Sequence, residues 1–356
     1  MRGKIAATVA AVCLLLSGCE GWMDGEYVSV KPHTEQGYRQ EQEIIVVENY
    51  QELRTALAEM VENGVETGVL SVEALKQNTI EATMDNAVRY VRQTLPVGAY
   101  AVDTVSYEVG TTTGLTAVAV NISYNHNRSE IKRIRQVQGM EAAEALITAA
   151  LEQCETGIVL KVEDYAETDL VQLVRDHALK NPASVMETPQ VTANVYPESG
   201  NDRVVELIFT YQTSRESLRS MQSYVQPVFS SASLYVAGDG EESVKFSQLF
   251  SFLMERNDYT VETSITPAYS LLRHGVGDSR AFAMVYAAMC RKAGLEAMVI
   301  SGTRAGEPWV WNLICENGVY YHVDLLQSHR VGVFRKMTDS EMSGYVWDYT
   351  AYPACG

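Results

Sequence analysis

The stretch that decides the fold of the last third of the chain is Gly275-Val276-Gly277-Asp278-Ser279-Arg280-Ala281-Phe282-Ala283. Two glycines make a turn, and Asp278 or Ser279 is suited to cap the helix that follows. The helix is predicted to cover residues 280–293 and to end at Gly294. Its buried side is predicted to carry Phe282, Val285, Met289 and Cys290.

Three strand-like segments follow this helix, at residues 296–302, 309–315 and 319–325. Each is rich in β-branched and aromatic residues, which favour strands. The last two are joined by Glu316-Asn317-Gly318, and Asn-Gly is typical of a tight hairpin turn. A helix followed by consecutive antiparallel strands predicts an α+β domain.

Separated groups of residues in this region form a further pattern: Ala268-Tyr269, Gly275, Ser279, Trp309-Val310-Trp311-Asn312 and Tyr320-Tyr321-His322-Val323-Asp324. With these residues, the order of elements resembles the transglutaminase-like family, whose fold is that of papain-type cysteine proteases. The tail at residues 334–342 and 345–355 is also similar to bacterial members of that family. The resemblance covers roughly residues 233–356, and it implies a transglutaminase-like domain there.

The resemblance implies a catalytic Cys-His-Asp triad, from which this chain departs at two positions. Ser279 stands where the family has cysteine, Trp309 stands where it has histidine, and Asp324 is retained. In the family pattern, the helix dipole and an imidazolium stabilise the thiolate, and the aspartate orients the imidazole. A serine hydroxyl needs a base, and an indole N–H is a donor only. The domain is therefore expected to have the fold of the enzyme but to lack its thiol nucleophile and its imidazole base.

Trp309 is expected to fill the space of the missing imidazole and to donate its indole N–H to Asp324. Two histidines could replace the missing base. His322 lies two residues before Asp324 in the predicted strand and would share its face, while His274 lies just before the turn. If either is recruited, Ser279 becomes the nucleophile of an amide hydrolase or acyltransferase, which is the alternative interpretation.

The N-terminus has the pattern of a secretory signal followed by a lipid attachment site. Arg2 and Lys4 precede an apolar run at residues 5–16 that is too short to span a membrane. Leu16-Ser17-Gly18-Cys19 resembles the bacterial lipobox, which implies removal of residues 1–18 and acylation of Cys19. Residues 19–42 have no apolar period and predict a flexible tether. The chain is therefore expected on the extracytoplasmic face of the cell membrane, held by lipid.

Charge and cysteine content narrow the range of partners. A formal net charge of -17 argues against nucleic acid or anionic lipid as a partner of the folded part. Of the six cysteines, four would remain outside the signal and the lipid site: Cys154, Cys290, Cys315 and Cys355. Their irregular spacing matches no metal motif, so neither a metal nor another cofactor is expected, and one long-range disulfide stays open.

Two segments that precede the C-terminal domain resemble each other. The sequence at residues 66–73 is repeated at 155–163, and residues 118–128 have a counterpart at 205–215. A helix-like stretch precedes each of the first pair. Its apolar face is predicted to carry Leu53, Leu57, Met60 and Val61 in the first copy and Ala145, Ile147, Ala150 and Leu151 in the second. The period is about 88 residues, which predicts two copies of a small α+β module at 43–137 and 138–230. No catalytic or phosphate-binding motif recurs in both copies, so a spacer or partner-binding role is expected.

Three functional hypotheses follow. In the first, the chain is a lipid-anchored envelope protein whose non-catalytic C-terminal domain binds or scaffolds a surface protein, peptide or wall glycan. In the second, it is an active serine enzyme. In the third, the duplicated modules bind the partner and the C-terminal domain is a rigid cap.

Overall fold

Three four-stranded sheets, a two-stranded sheet and the helices packed on them are formed within residues 44–112 and 114–356, the part of the chain that the computed structural model describes. The predicted signal peptide, Cys19 and the tether at 19–42 lie outside the described residues. Within the described residues, no helix is both long and apolar enough to cross a membrane.

The first module is a sheet in the order β1-β2-β4-β3, with β1 parallel to β2 and the other two pairs antiparallel. The predicted apolar face of α1 is confirmed, because Leu53, Leu57, Met60 and Val61 are all buried in its core. The elements are β1 (Ile44–Val46), α1 (Tyr50–Glu62), β2 (Thr67–Ser71), α2 (Ile80–Gln93), α3 (Pro96–Ala101), β3 (Val102–Thr112), β4 (Leu115–Tyr124) and α4 (Arg128–Ile131).

The second module has the same strand order and directions, β5-β6-β8-β7, with β5 parallel to β6. Its helix α5 buries Ile147, Ala150 and Leu151 as expected, but the predicted Ala145 is exposed and Ala143 is buried instead. The elements are β5 (Arg135–Gln138), α5 (Gly139–Glu152), β6 (Gly157–Glu163), α6 (Leu170–Lys180), β7 (Gln190–Tyr196), β8 (Arg203–Thr210) and α7 (Arg215–Ser230). Origin of the two modules by duplication stays a prediction.

The structure corrects both module boundaries. The expected border between 137 and 138 cuts through β5, which pairs with β6 and so belongs to the second sheet. The second module was expected to end at residue 230, where α7 ends, yet Leu218, Val225 and Phe229 of this helix pack in the core of the C-terminal domain. The physical reason is that an amphipathic helix is placed by the partner that covers its apolar stripe, which local sequence does not specify.

The C-terminal domain is organised around α10, which is buried along almost its whole length from Ala281 to Cys290. Four residues were expected on one buried side, but this helix lies between the sheet and other helices and is covered all round. The elements are α8 (Glu242–Met254), β9 (Asp258–Tyr259), α9 (Pro267–Tyr269), β10 (Val276–Gly277), α10 (Ser279–Lys292), β11 (Ala297–Arg304), β12 (Glu307–Glu316), β13 (Val319–Val323), α11 (Leu325–Val331) and β14 (Tyr345–Val346).

The sheet β13-β12-β11-β14 has two differently covered faces. One face contributes Val299, Ile314 and Val323 to the core around α10. The opposite face carries Ile300, Trp311 and Leu313 and is covered by the C-terminal tail. Side chains alternate between faces along a strand, so Trp309 and Trp311 of β12 belong to the tail side.

The hairpin predicted between the last two strands is confirmed. Asn317 and Gly318 both have positive φ, 54° and 81°, as a type I′ turn requires. The turn pairs Asn312 with Val323 and so brings the end of β13 beside the middle of β12. Residues near Trp309 and residues just after Val323 therefore meet at one edge of the sheet.

Candidate functional site

The N-terminus of α10 holds Ser279 at the edge of the sheet. Asp278 caps the helix, since its Oδ1 accepts the backbone N–H of Ala281 at 2.9 Å and its Oδ2 accepts the hydroxyl of Thr263 at 2.9 Å. Ser279 is the first helical residue, and its Oγ accepts the backbone N–H of Val310 at 3.3 Å. The hydroxyl thus points toward β12, as the family pattern predicts for its nucleophile.

The predicted bond between Trp309 and Asp324 is confirmed. The indole Nε1 of Trp309 donates to Asp324 Oδ2 at 2.8 Å. Asp324 is only 1% exposed, so its carboxylate depends on protein donors rather than on water. The tryptophan takes the hydrogen-bonding place that the family pattern gives to the catalytic imidazole.

A tyrosine that the sequence analysis did not pair with Asp324 also binds this carboxylate. Tyr345, in β14, donates its hydroxyl to the same Oδ2 of Asp324 at 2.6 Å. Burial and the charge of Asp324 raise the pKa of Tyr345 well above its usual range, so the hydroxyl remains a donor. Arg304 lies over the rings of both Trp309 and Tyr345, at 5.4 and 5.7 Å. No local sequence signal connects position 345 with 324.

The other oxygen of Asp324 caps a helix. Oδ1 accepts the backbone N–H of Gln327 at 3.0 Å, which makes Asp324 the N-cap of α11. β13 ends at Val323, whereas the strand was predicted to continue to residue 325. Asp324 thus lies just beyond the strand. Its partner Trp309 and the partner of His322, Trp311, lie on the same face of β12, so His322 and Asp324 both bond to side chains on the tail side of the sheet.

His322 is completely buried and uses both ring nitrogens away from Ser279. Its Nδ1 accepts the indole N–H of Trp311 at 3.0 Å, and its Nε2 lies 2.9 Å from Asp339 Oδ1. An indole can only donate, so Nδ1 must be the acceptor and Nε2 carries the proton that is donated to Asp339. Burial lowers the pKa of His322, and Asp339 opposes that shift only in part.

His274, the second candidate base, is exposed, with its ring edge against Tyr269 at a centroid distance of 5.4 Å. Across residues 44–112 and 114–356, no hydrogen bond joins His274 or His322 to Ser279. A base role for either histidine stays a prediction that no contact in the structure supports.

The space between Ser279 and Asp324 is closed. It is lined by Phe282, Val310, Asn312 and Leu326 among others, and its cavity volume is about 0 Å³. A water molecule needs at least about 10–15 Å³, so this space between the two residues holds none, although Ser279 itself is half-buried rather than enclosed. Asn312 donates its amide to Ala283 O at 2.9 Å and to Met298 O at 3.1 Å, which fastens α10 to β11 and β12.

The structure brings together a His-Asp-Cys set that sequence spacing did not reveal. Ligand atoms of His322, Asp339 and Cys355 lie within 4.8 Å of one another. Trp311 requires an unprotonated Nδ1, so a metal on Nε2 would demand an imidazolate. Burial and Asp339 also raise the pKa of the Cys355 thiol to about 12. The set fits a hydrogen-bonded latch for the tail better than a metal centre.

The tail is fixed at this latch by the backbone as well. The N–H of Cys355 donates to Asp339 Oδ2 at 3.0 Å, and the N–H of Asp339 donates to Cys355 O at 3.0 Å. His322 and Met337 exchange two backbone hydrogen bonds of 2.8 and 2.9 Å. Cys154, Cys290, Cys315 and Cys355 are all free thiols, so the disulfide left open by the sequence is not formed among them.

A family comparison identifies the C-terminal part of the chain. Residues 231–347 match the family described as the transglutaminase-like superfamily, and this part of the chain is a transglutaminase-like domain. No curated protein matches the chain.

Three solved structures similar to this chain show low identity and low superposition scores. A candidate cysteine protease from Cytophaga hutchinsonii is 11% identical, with a TM-score of 0.26, over 44% of this chain and 70% of its own. A TGase is 9% identical, with a TM-score of 0.26, over 58% and 70%. A candidate protease from Parabacteroides distasonis is 10% identical, with a TM-score of 0.24, over 78% and 44%.

Removing the Tyr345 hydroxyl should destabilise the domain. Tyr345→Phe leaves Asp324 Oδ2 with one donor instead of two, and loss of a hydrogen bond to a buried charge is expected to lower the free energy of unfolding by about 1–3 kcal/mol. Tyr349→Phe, at a ring that is 62% exposed, is the matched control and should change it by less than about 0.5 kcal/mol. Urea unfolding of both variants measures the difference; equal losses would contradict the proposed role of the hydroxyl.

Stability should fall on acidification because of His322. Its folded-state pKa lies below the ordinary 6.5, so the unfolded chain takes up the proton first. The contribution of neutral His322 is complete above about pH 6.5 and is lost as the pH falls below that value. The free energy of unfolding should therefore decrease between about pH 7 and pH 5.5 and depend less on pH in His322→Asn. A slope that is the same in His322→Asn as in the wild type would contradict the assignment.

Proposed function

We propose that the chain is a lipid-anchored envelope protein whose transglutaminase-like domain is non-catalytic and binds a surface protein, peptide or wall component. The observation that carries this proposal is the hydrogen bond from Trp309 Nε1 to Asp324. The carboxylate that would orient a catalytic imidazole is occupied instead by an indole, which cannot accept a proton.

The surroundings of Ser279 support the loss of catalysis. Acyl transfer by serine requires a base within hydrogen-bonding reach of the hydroxyl. Ser279 Oγ instead accepts the N–H of Val310, and the adjoining space has a volume of about 0 Å³. The space between Ser279 and Asp324 therefore does not accommodate a substrate carbonyl without rearrangement of these side chains.

The surface around Trp309 supports a binding role. Tyr259 is 45% exposed, and its ring centroid lies 5.8 Å from that of Trp309. Val276 is also exposed and lies on β10, which pairs with the strand that carries Tyr259. Val261, two residues beyond Tyr259, is 80% exposed. Exposed apolar side chains grouped beside a filled cleft are typical of a protein or peptide contact.

Restoring the cysteine and histidine of the family pattern tests whether positions 279 and 309 still have the geometry that activates a thiol. In Ser279→Cys combined with Trp309→His, the helix dipole and the new imidazole should stabilise a thiolate. We expect iodoacetamide to alkylate the introduced thiol about tenfold or more faster near pH 7 than in the matched control, Ser279→Cys alone. Mass spectrometry of peptides separates this thiol from the four native ones.

Labelling of the wild-type chain separates the non-catalytic proposal from the enzyme alternative. If the domain is non-catalytic, a fluorophosphonate probe should leave Ser279 unlabelled, whereas an active serine enzyme should be labelled there. Labelling of wild type that Ser279→Ala abolishes, with unchanged unfolding, would show that Ser279 is an active nucleophile and would overturn the proposal.

The anchor is tested separately. Cys19→Ala removes the only thiol in the lipobox-like stretch, so the chain should move from the membrane fraction to the soluble extracytoplasmic fraction. Retention of this variant in the membrane fraction would contradict attachment through Cys19.

A further inference from the structure

A cavity of about 490 Å³ lies where the two modules meet, and is called here the junction cavity. Its volume is within the range of small-molecule sites, about 300–1,000 Å³. The residues of its wall used below are Tyr100, His126, Arg133, Arg135, Glu206 and Ile208. It lies outside the transglutaminase-like domain at 231–347, and none of the sequence motifs pointed to it.

One wall is the face of the second sheet that does not carry α5 and α6. Leu207 of β8 packs in the core beneath those helices, so its neighbours Glu206 and Ile208 lie on the opposite face. The first module covers part of this face, because Val159 and Val204 pack in its core. Ile208 is left 44% exposed at the cavity. The wall therefore offers an apolar surface that neither module covers.

The facing wall is a rigid aromatic pair. The rings of Tyr100 and His126 stack with centroids 4.1 Å apart and an interplanar angle of 11°. Tyr196 packs its edge against Tyr100 at 5.7 Å. Burial, followed by the charge of Glu206, raises the pKa of Tyr100 well above its usual range, so its hydroxyl remains a hydrogen-bond donor.

The carboxylates at the cavity already have partners within the protein. Glu130 Oε2 accepts the backbone N–H of Asn127 at 2.8 Å and lies 3.8 Å from His126 Nδ1. Glu206 Oε2 accepts the side-chain amide of Asn194 at 3.0 Å. Their negative charges are thus partly compensated by groups of the protein itself.

Unlike the carboxylates, the two arginines of the cavity wall have no partner side chain in the described part of the chain. Arg133 lies just before β5 and Arg135 is the first residue of that strand, in the segment that joins the modules. Both residues line the cavity, and both are exposed. Elsewhere in the described chain, Arg203 and Arg215 form ion pairs with glutamates at 2.8 and 2.6 Å. Among the described residues, neither Arg133 nor Arg135 has a side-chain hydrogen bond, ion pair or ring contact. Each guanidinium presents five donors suited to a carboxylate or phosphate.

The net charge of -17 does not prevent anion binding at this place. At physiological ionic strength charges are screened beyond about 8 Å, so the field inside a cavity depends on the groups that line it. Two unpaired guanidinium groups against two partnered carboxylates leave a locally favourable position for one anionic group.

We propose that the junction cavity binds a small ligand with an oxyanion, either a carboxylate or a phosphate. Arg133 and Arg135 hold the anionic group, and the uncharged part of the ligand lies between Ile208 and the Tyr100/His126 wall. The volume suits one or two sugar or amino-acid residues. Such a ligand would contact both modules and the segment that joins them.

The test uses the full chain with three probes, glucuronate, inorganic phosphate and glucose, in calorimetric or ligand-observed NMR titrations. We expect at least one of the two anions to bind with a Kd of about 1 mM or tighter, and glucose to bind at least about tenfold more weakly. Glucuronate alone would identify a carboxylate-bearing ligand, and phosphate alone a phosphate-bearing one; both outcomes support the proposal.

Variants then assign the site. Arg133→Gln with Arg135→Gln should weaken anion binding about tenfold or more, because charge-assisted hydrogen bonds are lost. Arg89→Gln with Arg92→Gln removes the same charge from exposed positions of α2 and should leave binding unchanged. Thermal unfolding of both pairs shows that each is folded. Binding of neither anion below about 10 mM, equal binding of glucose, or equal losses in the two pairs would overturn the proposal.

Discussion

A buried carboxylate must be satisfied by donors, and this constraint at Asp324 organises the edge of the C-terminal domain. Its two oxygens receive Trp309, Tyr345 and the backbone of Gln327, which belong to β12, β14 and α11. Asp324 is 1% exposed, so the loss of any of these donors would destabilise the folded domain. Asp324, which corresponds to the residue that orients the catalytic base in the family pattern, here connects β12, β14 and α11.

The position of Tyr345 depends in turn on the tail. Trp311 donates to His322, His322 donates to Asp339, and Asp339 accepts the backbone of Cys355. This chain of bonds crosses the sheet face opposite α10 and holds residues 337–355 against it. The donor-only character of indole fixes the tautomer of His322, and that tautomer favours a structural latch over metal binding or proton transfer.

The two modules and the C-terminal domain are not separate units of packing. Val204 of the second module lies in the core of the first, and α7 of the second module lies in the core of the third. The junction cavity is the part of the first interface that these contacts leave open. It lies between the modules and outside the domain that carries Ser279, so the proposed ligand binding and the proposed loss of catalysis can be tested independently.

The sequence by itself determined the features that depend on neighbours along the chain. The Asp278 cap, the Asn317-Gly318 turn and the apolar face of α1 follow from backbone conformation and from helical period. The Trp309–Asp324 contact was also predictable, because the family pattern supplied the pairing. Only the tertiary structure decided that β13 stops before Asp324, that Tyr345 reaches the same carboxylate, and that Arg133 and Arg135 face a cavity. These features depend on contacts between distant segments, whose geometry is set by packing of the whole domain and leaves no local pattern in the sequence.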